Sequence, residues 1–359
     1  MPRNRKKEID QFAKISIIGH FAFKKHFANG QTIKTKIITE ELCGIFGENQ
    51  VLKIDTHGSK LISILKAPLQ ARKAISKSKN VILFPAQNGL RVFAPILLLF
   101  KNFFKNSKLH YVVIGGWLPE FLKNHRTLRD SLKRFDCIYV ETLSMKNALE
   151  NIGFQNVFVL PNCKKLKILN EAELVYSNSE PLKLCTFSRV MKEKGIEDAA
   201  NAVIEVNRRF NRTALTLDIF GQVDVQQQNW FDDLKASFPA FVNYKGIIPF
   251  DQSTDTLKQY FVLLFPTHYT GEGFAGTLID AMAAGVPVIA SDWKYNSEFV
   301  REEKNGFLYP TFDQEKLIDK LIWAVENPSQ INLLKANCVK LAQCYLPSNV
   351  IQILITQLN

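Results

Sequence analysis

Two carboxylates bracket a run of small residues in Glu272-Gly-Phe-Ala-Gly-Thr-Leu-Ile-Asp280. Glu272 stands just before a glycine-containing helix start, and Asp280 falls two turns into that helix. The segment runs on to Gly285-Val-Pro287, a helix stop followed by an apolar strand. The first amides of a helix lack partners within it and attract phosphate. Flanking carboxylates can take sugar hydroxyls. The combination suits a nucleotide-sugar better than a protein or nucleic-acid partner.

Basic residues that can meet phosphate lie upstream. After the apolar run Leu182-Lys-Leu-Cys-Thr-Phe187 comes Ser188-Arg189-Val-Met-Lys-Glu-Lys194-Gly195, then a predicted helix from Ile196. Arg189 ends the strand and Lys194 sits in the turn. Two cations and a glycine at a strand-to-helix turn can neutralise a pyrophosphate. The plainer alternatives are surface charges at Arg189 and Lys194, a loop acid at Glu272 and a solvent-facing helix residue at Asp280.

Together these segments resemble the family 4 retaining glycosyltransferases of bacterial surface-polysaccharide type. One matches the family's two acidic residues separated by seven, the other its Arg-x-x-x-x-Lys-Gly signature. Leu217-Asp-Ile-Phe-Gly221 and Asn243-Tyr-Lys-Gly246 resemble two further glycine-ended strands of the same domain. The likeness runs from Leu182 to Pro310. It implies an α/β chain of the GT-B fold: two Rossmann-like domains, parallel sheets facing each other across a cleft, and a last helix crossing back to the first domain.

The resemblance also implies roles. Glu272 would contact the donor sugar near the reacting carbon, with Arg189 and Lys194 on the diphosphate. Asp280, where the family usually has Glu, would bind the ribose hydroxyls. Gly273 and the amides of Phe274, Ala275, Gly276 and Thr277 would meet sugar and phosphate oxygens. In the first domain, Ile18-Gly-His-Phe leads into Phe27-Ala-Asn-Gly30-Gln31-Thr32. There Gly30, Gln31 and Thr32 would form a loop against the donor phosphates and the acceptor, unless Asn29 or Thr32 merely caps a helix. Many members carry a histidine after the fourth strand. This chain reads Ile114-Gly115-Gly116-Trp117, with His110 about four residues early and better placed as a strand residue. Either the backbone of Gly115 and Gly116 serves instead, or the site is impaired.

Elements able to position these groups recur along the chain. Short apolar runs at Ile15–Ile18, Val51–Ile54, Val81–Phe84, Tyr111–Ile114, Cys137–Val140 and Val157–Leu160 predict strands alternating with helices. The rhythm is that of βαβ units and a parallel sheet. It repeats at Leu184–Phe187, Leu215–Phe220, Val262–Phe265 and Pro287–Ala290. The predicted domains are 1–165 with a returning helix at 345–359, and 178–344, joined through the polar stretch from Asn170 to Pro181.

Composition narrows the function classes. The chain has 359 residues, long enough for two domains, with 46% hydrophobic and 22% charged residues. Six cysteines without metal-ligand spacing read as reduced thiols in a cytoplasmic protein. The longest apolar run, Val92 to Phe100, is well short of the roughly 20 residues of a membrane span, so none is expected. The basic start lacks the apolar run of a signal peptide. No Asp-x-Asp motif appears, so neither a metal nor any other cofactor is expected.

Charge is uneven. Residues 1–163 hold 26 Lys+Arg against 11 Asp+Glu, a net of +15; the rest hold 20 against 23, a net of −3. The first half therefore favours an anionic partner. Leu97 to Lys108 interleaves apolar residues with Lys101, Lys105 and Lys108. It reads either as a helix lying on an anionic membrane surface or as a core helix with a solvated basic end.

The reading is a metal-independent retaining transferase moving a sugar from a nucleoside-diphosphate sugar to a lipid-linked or oligosaccharide acceptor. Capsule or O-antigen assembly at the cytoplasmic membrane face is the setting that the resemblance implies. A catalytically silent partner subunit of the same fold is the alternative. A nicotinamide oxidoreductase lacks its Gly-x-Gly-x-x-Gly after the first strand, and no nucleic-acid recognition motif is visible.

Overall fold

The computed structural model describes residues 13–22, 30–57 and 60–358. Two six-stranded sheets organise it. The first contains β1 (Ala13–Gly19), β2 (Val51–Asp55), β3 (Ser78–Leu83), β4 (Lys108–Val112), β5 (Cys137–Val140) and β6 (Val157–Val159), in the order β2-β1-β3-β4-β5-β6. The second contains β7 (Leu182–Phe187), β8 (Leu215–Phe220), β9 (Val242–Gly246), β10 (Val262–Phe265), β11 (Val288–Ser291) and β12 (Gly306–Tyr309), in the order β12-β11-β10-β7-β8-β9. Every named strand pairing is parallel. Strands sandwiched between helix layers bury both faces, so they read as continuous apolar runs rather than alternating ones.

β12 was not among the expected strands. Gly306-Phe-Leu-Tyr309 follows Glu-Lys-Asn, a turn-like string that hides a four-residue edge strand.

The last helix, Pro347–Leu358, belongs to the first core. Its Val350, Ile351, Leu354 and Leu358 pack with Ile15, Ile17, Ile37 and Ile38. Asn80 Nδ2 donates to the Leu358 carbonyl at 3.0 Å. The stretch Pro328–Leu358 is long and apolar enough to span a bilayer by length and composition, which the count of uninterrupted apolar residues overlooked. It is divided into the helices Pro328–Leu333, Lys335–Ala342 and Pro347–Leu358. Buried faces of all three pack into the cores of the two domains.

Leu97 to Lys108 is not one helix. The helix Gln87–Lys101 ends there, turns follow, and Lys108 opens β4. Leu97 and Leu98 are core residues, while Leu99 and Phe103 are exposed. Lys101 is engaged by Asp136 at 2.5 Å. Asp136 also accepts the Leu109 amide, which ties the basic end to the strand.

A donor-side candidate site facing the first domain

Lys194 and Glu272 meet directly. The Lys194 ammonium donates to Glu272 Oε2, and Thr267 Oγ1 donates to the same oxygen at 2.9 Å. Glu272 is buried and the Lys194 side chain is nearly so. Lys194 also lies 5.1 Å from the Tyr269 ring centroid and 5.4 Å from that of Phe265. Ring faces attract a cation, most strongly where water is excluded. Gly195, in the left-handed region at φ 68°, makes this turn possible. A side chain there would also strike the Pro266 carbonyl.

Arg189 approaches the same aromatic face. Its guanidinium carbon is 5.9 Å from the Tyr269 centroid, while Nη1 donates to Asp224 Oδ2 at 3.3 Å. Arg189 is half exposed and keeps a wet side. Thus Arg189, Lys194 and Glu272 gather around Tyr269, at the carboxyl ends of β7 and β10, where open parallel sheets place ligands.

Asp280 sits on the helix Gly276–Ala283 and is buried, not solvent-facing. Lys164 Nζ lies 2.5 Å from its Oδ2, and Ser253 Oγ donates to Oδ1 at 3.1 Å. Burial raises the Asp280 pKa, against the opposing pull of Lys164. Lys164, in the segment after β6, also reaches over Gly276 at the helix start.

The amides assigned to the donor do not all point into one space. Phe274 N–H donates to Glu141 Oε2 of the first domain at 3.1 Å, so it is already engaged. The Phe274 ring stacks on Phe299 at 3.6 Å between centroids, inside the second core. Thr277 Oγ1 donates to the Phe187 carbonyl. Ala275 takes the N-cap position without a side-chain cap, so the start of the Gly276 helix keeps its electropositive end.

The first domain closes on this loop. Lys34 and Glu141 form a buried ion pair at 2.8 Å, and Glu141 then meets Phe274. Gly273 is required because a side chain there would collide with Glu141. Gly116 N–H donates to the Gly271 carbonyl at 3.4 Å, and Tyr295 Oη donates to the Gly116 carbonyl at 3.1 Å. Glu298 accepts the amides of Leu143 and Ser144 at 2.6 and 2.8 Å, capping a first-domain helix from the second domain.

Gly30, Gln31 and Thr32 lie in the first turn of the helix Gly30–Phe46 rather than in a loop, and Thr32 is buried. Residues 23–29, including the rest of that expected loop and Asn29, fall outside the described residues. His110 is buried in β4, between Tyr139 Oη at 3.2 Å and Asn80 Oδ1 at 3.1 Å. Burial lowers its pKa to about 4. It is a neutral core residue, as its position in the strand suggested.

Lys34, Glu141 and Lys164 were not among the expected site residues. Glu141 carried a signal, a carboxylate directly after the apolar strand Cys137–Val140. Lys34 and Lys164 carried none, because their partners are 107 and 116 residues away.

Known proteins resemble parts of this chain. Residues 181–327 match the family model for glycosyl transferases group 1, the stretch that holds Arg189, Lys194, Glu272 and Asp280. The chain is 28% identical over 183 residues to the GtfA subunit of the UDP-N-acetylglucosamine–peptide N-acetylglucosaminyltransferase of Streptococcus pneumoniae, covering 48% of this chain and 34% of that protein. It is 26% identical over 239 residues to the poly(ribitol-phosphate) alpha-N-acetylglucosaminyltransferase of Staphylococcus aureus, covering 59% and 47%. The chain thus spans less than half the length of these relatives. Among solved structures, Anabaena HepE in complex with UDP superposes with a TM-score of 0.73 at 15% identity, covering 96% of this chain and 98% of that one. The chain has the GT-B fold, with both sheets matched along nearly its full length.

Proposed function

We propose that this chain is a retaining glycosyltransferase that takes a sugar from a UDP-sugar and passes it to an acceptor held by the first domain. The observation that carries this reading is the Lys194–Glu272 pair beside Arg189, under Tyr269 and against Gly115-Gly116. UDP is supported as the leaving group by the HepE complex and by the UDP-N-acetylglucosamine donor named for the streptococcal relative.

Before donor arrives, Lys194 and Glu272 neutralise each other. The diphosphate draws Lys194 and Arg189 onto its oxygens, and the freed Glu272 carboxylate accepts sugar hydroxyls. As the glycosidic bond breaks, negative charge grows on the diphosphate beside these cations and the start of the Gly276 helix. One such preorganised donor contributes about 3 kcal/mol. No divalent metal has a role in this scheme. Asp280, held by Ser253, meets the ribose in exchange for its contact with Lys164, with Gly273 and the amides of Ala275, Gly276 and Thr277 lining the donor. Gly30 and Gln31, at the start of a first-domain helix, approach from the other side.

The acceptor is a lipid-linked glycan, the setting is polysaccharide assembly, and the protein works from the cytoplasm on the inner membrane face. Support comes from the +15 charge of residues 1–163 and the exposed Leu99 and Phe103 near Lys105. A second reading, a catalytically silent partner subunit, is favoured by Gly115-Gly116 in place of a histidine. Turnover decides between them. UDP release from a panel of UDP-sugars with acceptor-bearing membranes, above the rate of Lys194→Met, supports the enzyme. UDP binding without release supports the silent subunit.

A further inference from the structure

A cavity of about 870 Å³ lies in the first domain, at the carboxyl ends of its strands. His20 follows β1, Thr56 follows β2, and Pro85 and Ala86 follow β3; all four line it. β1 lies between β2 and β3, so the chain reverses its winding direction at this point. Crevices at such reversals hold ligands. Trp117, next to the Gly116 that touches the donor loop, forms another wall, so cavity and donor site adjoin.

One end of the cavity suits an anion. Among the described residues of the lining, Arg91 is the charged one and none is a carboxylate. The helix Gln87–Lys101 starts here with Gln87, Asn88 and Gly89 in the lining, no acid in its first turn, and Ala86 as an N-cap without a side-chain acceptor. The nearby, half-buried Asp55 is engaged by backbone: its Oδ1 accepts the amides of Phe21, Ala22 and His57 at 3.0, 3.3 and 2.8 Å. His57 Nδ1 and His20 Nε2 lie 2.8 Å apart, and burial lowers the His20 pKa, so His20 offers polarity rather than fixed charge.

The other end is apolar and open. Ile64 lines the cavity yet is 44% exposed. On the same helix, Lys60–Lys77, Leu65 and Leu69 are 71% and 70% exposed, one turn apart on one stripe. Exposed Arg72 and Lys73 follow Leu69 by three and four positions. An apolar stripe edged with cations, continuous with a cavity, fits a hydrocarbon chain with an anionic head.

We propose that this cavity holds the phosphate end of a lipid-phosphate acceptor, with the hydrocarbon leaving past Ile64 onto Leu65 and Leu69. The phosphate lies between Arg91 and the start of the Gln87 helix, which leaves its sugar end toward Trp117 and Glu272. The inference rests on the glycosyltransferase reading and assigns residues to its lipid-linked acceptor, a class unlike the peptide or ribitol-phosphate polymer named for the relatives.

The test is calorimetric titration of the full chain, with UDP saturating so that the donor site is filled. The probes are farnesyl diphosphate below its micelle concentration, inorganic pyrophosphate and a soluble ribitol-phosphate oligomer. Farnesyl diphosphate should bind at least about tenfold more tightly than pyrophosphate. Arg91→Gln should weaken both about tenfold, and Leu65→Asp/Leu69→Asp should weaken only the farnesyl compound. Both variants change exposed residues and should keep the wild-type melting temperature and UDP affinity. Equal affinity for the two diphosphates, indifference to both variants, or preference for the ribitol-phosphate oligomer overturns the inference. Loss of UDP binding with intact, variant-sensitive farnesyl binding sinks the donor reading and leaves this site standing.

Discussion

Glu141 of the first domain accepts the backbone amide of Phe274 of the second at 3.1 Å. Its other oxygen holds the ammonium of Lys34 at 2.8 Å, so a buried first-domain ion pair docks on the loop that carries Glu272. A buried charge that loses its partner is costly, whereas the intact pair need not stabilise much. Its role is to fix where the two halves of the cleft meet.

Glu141→Ala leaves Lys34 buried without its carboxylate. The expected loss is about 3–5 kcal/mol of unfolding free energy, read from urea denaturation. Lys34→Met/Glu141→Leu removes both charges and should recover most of it. A single variant within about 0.5 kcal/mol of wild type would remove the pair from this role.

Gly195→Ala places a side chain at φ 68° and against the Pro266 carbonyl. It should cost about 1–3 kcal/mol and weaken UDP binding together, because the same turn positions Lys194. Thermal melting with and without UDP separates the two effects. A wild-type melting temperature would contradict the strain argument.

His110 gives stability a pH dependence of known sign. Its folded pKa is about 4, below the unfolded value near 6.5, so the unfolded chain binds more protons between these limits. The contribution is present above pH 6.5 and is lost as pH falls through 4, up to about 3 kcal/mol. His110→Gln should flatten unfolding free energy against pH in that window. An unchanged slope would assign the dependence to other groups.

How much was legible follows from where the partners lie along the chain. Ten of the twelve strands were visible as apolar runs, because β-strands buried on both faces need no distant information to be recognised, and β9 was read only from the resemblance of Asn243-Tyr-Lys-Gly246 to a glycine-ended strand. β12 escaped because its four residues begin with a glycine after a turn-like string. Arg189, Lys194 and Glu272 were readable because each stands at the carboxyl end of a recognisable strand or just before a helix. Glu141 taking the Phe274 amide, and Lys164 taking Asp280, were not. Those contacts depend on how the two domains close, which local periodicity does not encode. Leu97 to Lys108 misled for a related reason: local alternation of leucines and lysines resembles a surface helix, but Asp136 and β4 claim its basic end.

The central claim is that Lys194, beside Glu272 and under Tyr269, grips the diphosphate of a UDP-sugar. Calorimetric titration of UDP into the wild-type chain and Lys194→Met tests it most directly. The account predicts measurable binding to wild type, weakened about tenfold or more in Lys194→Met with the fold intact by melting. Equal UDP affinity in the two proteins, or none in wild type, would contradict it.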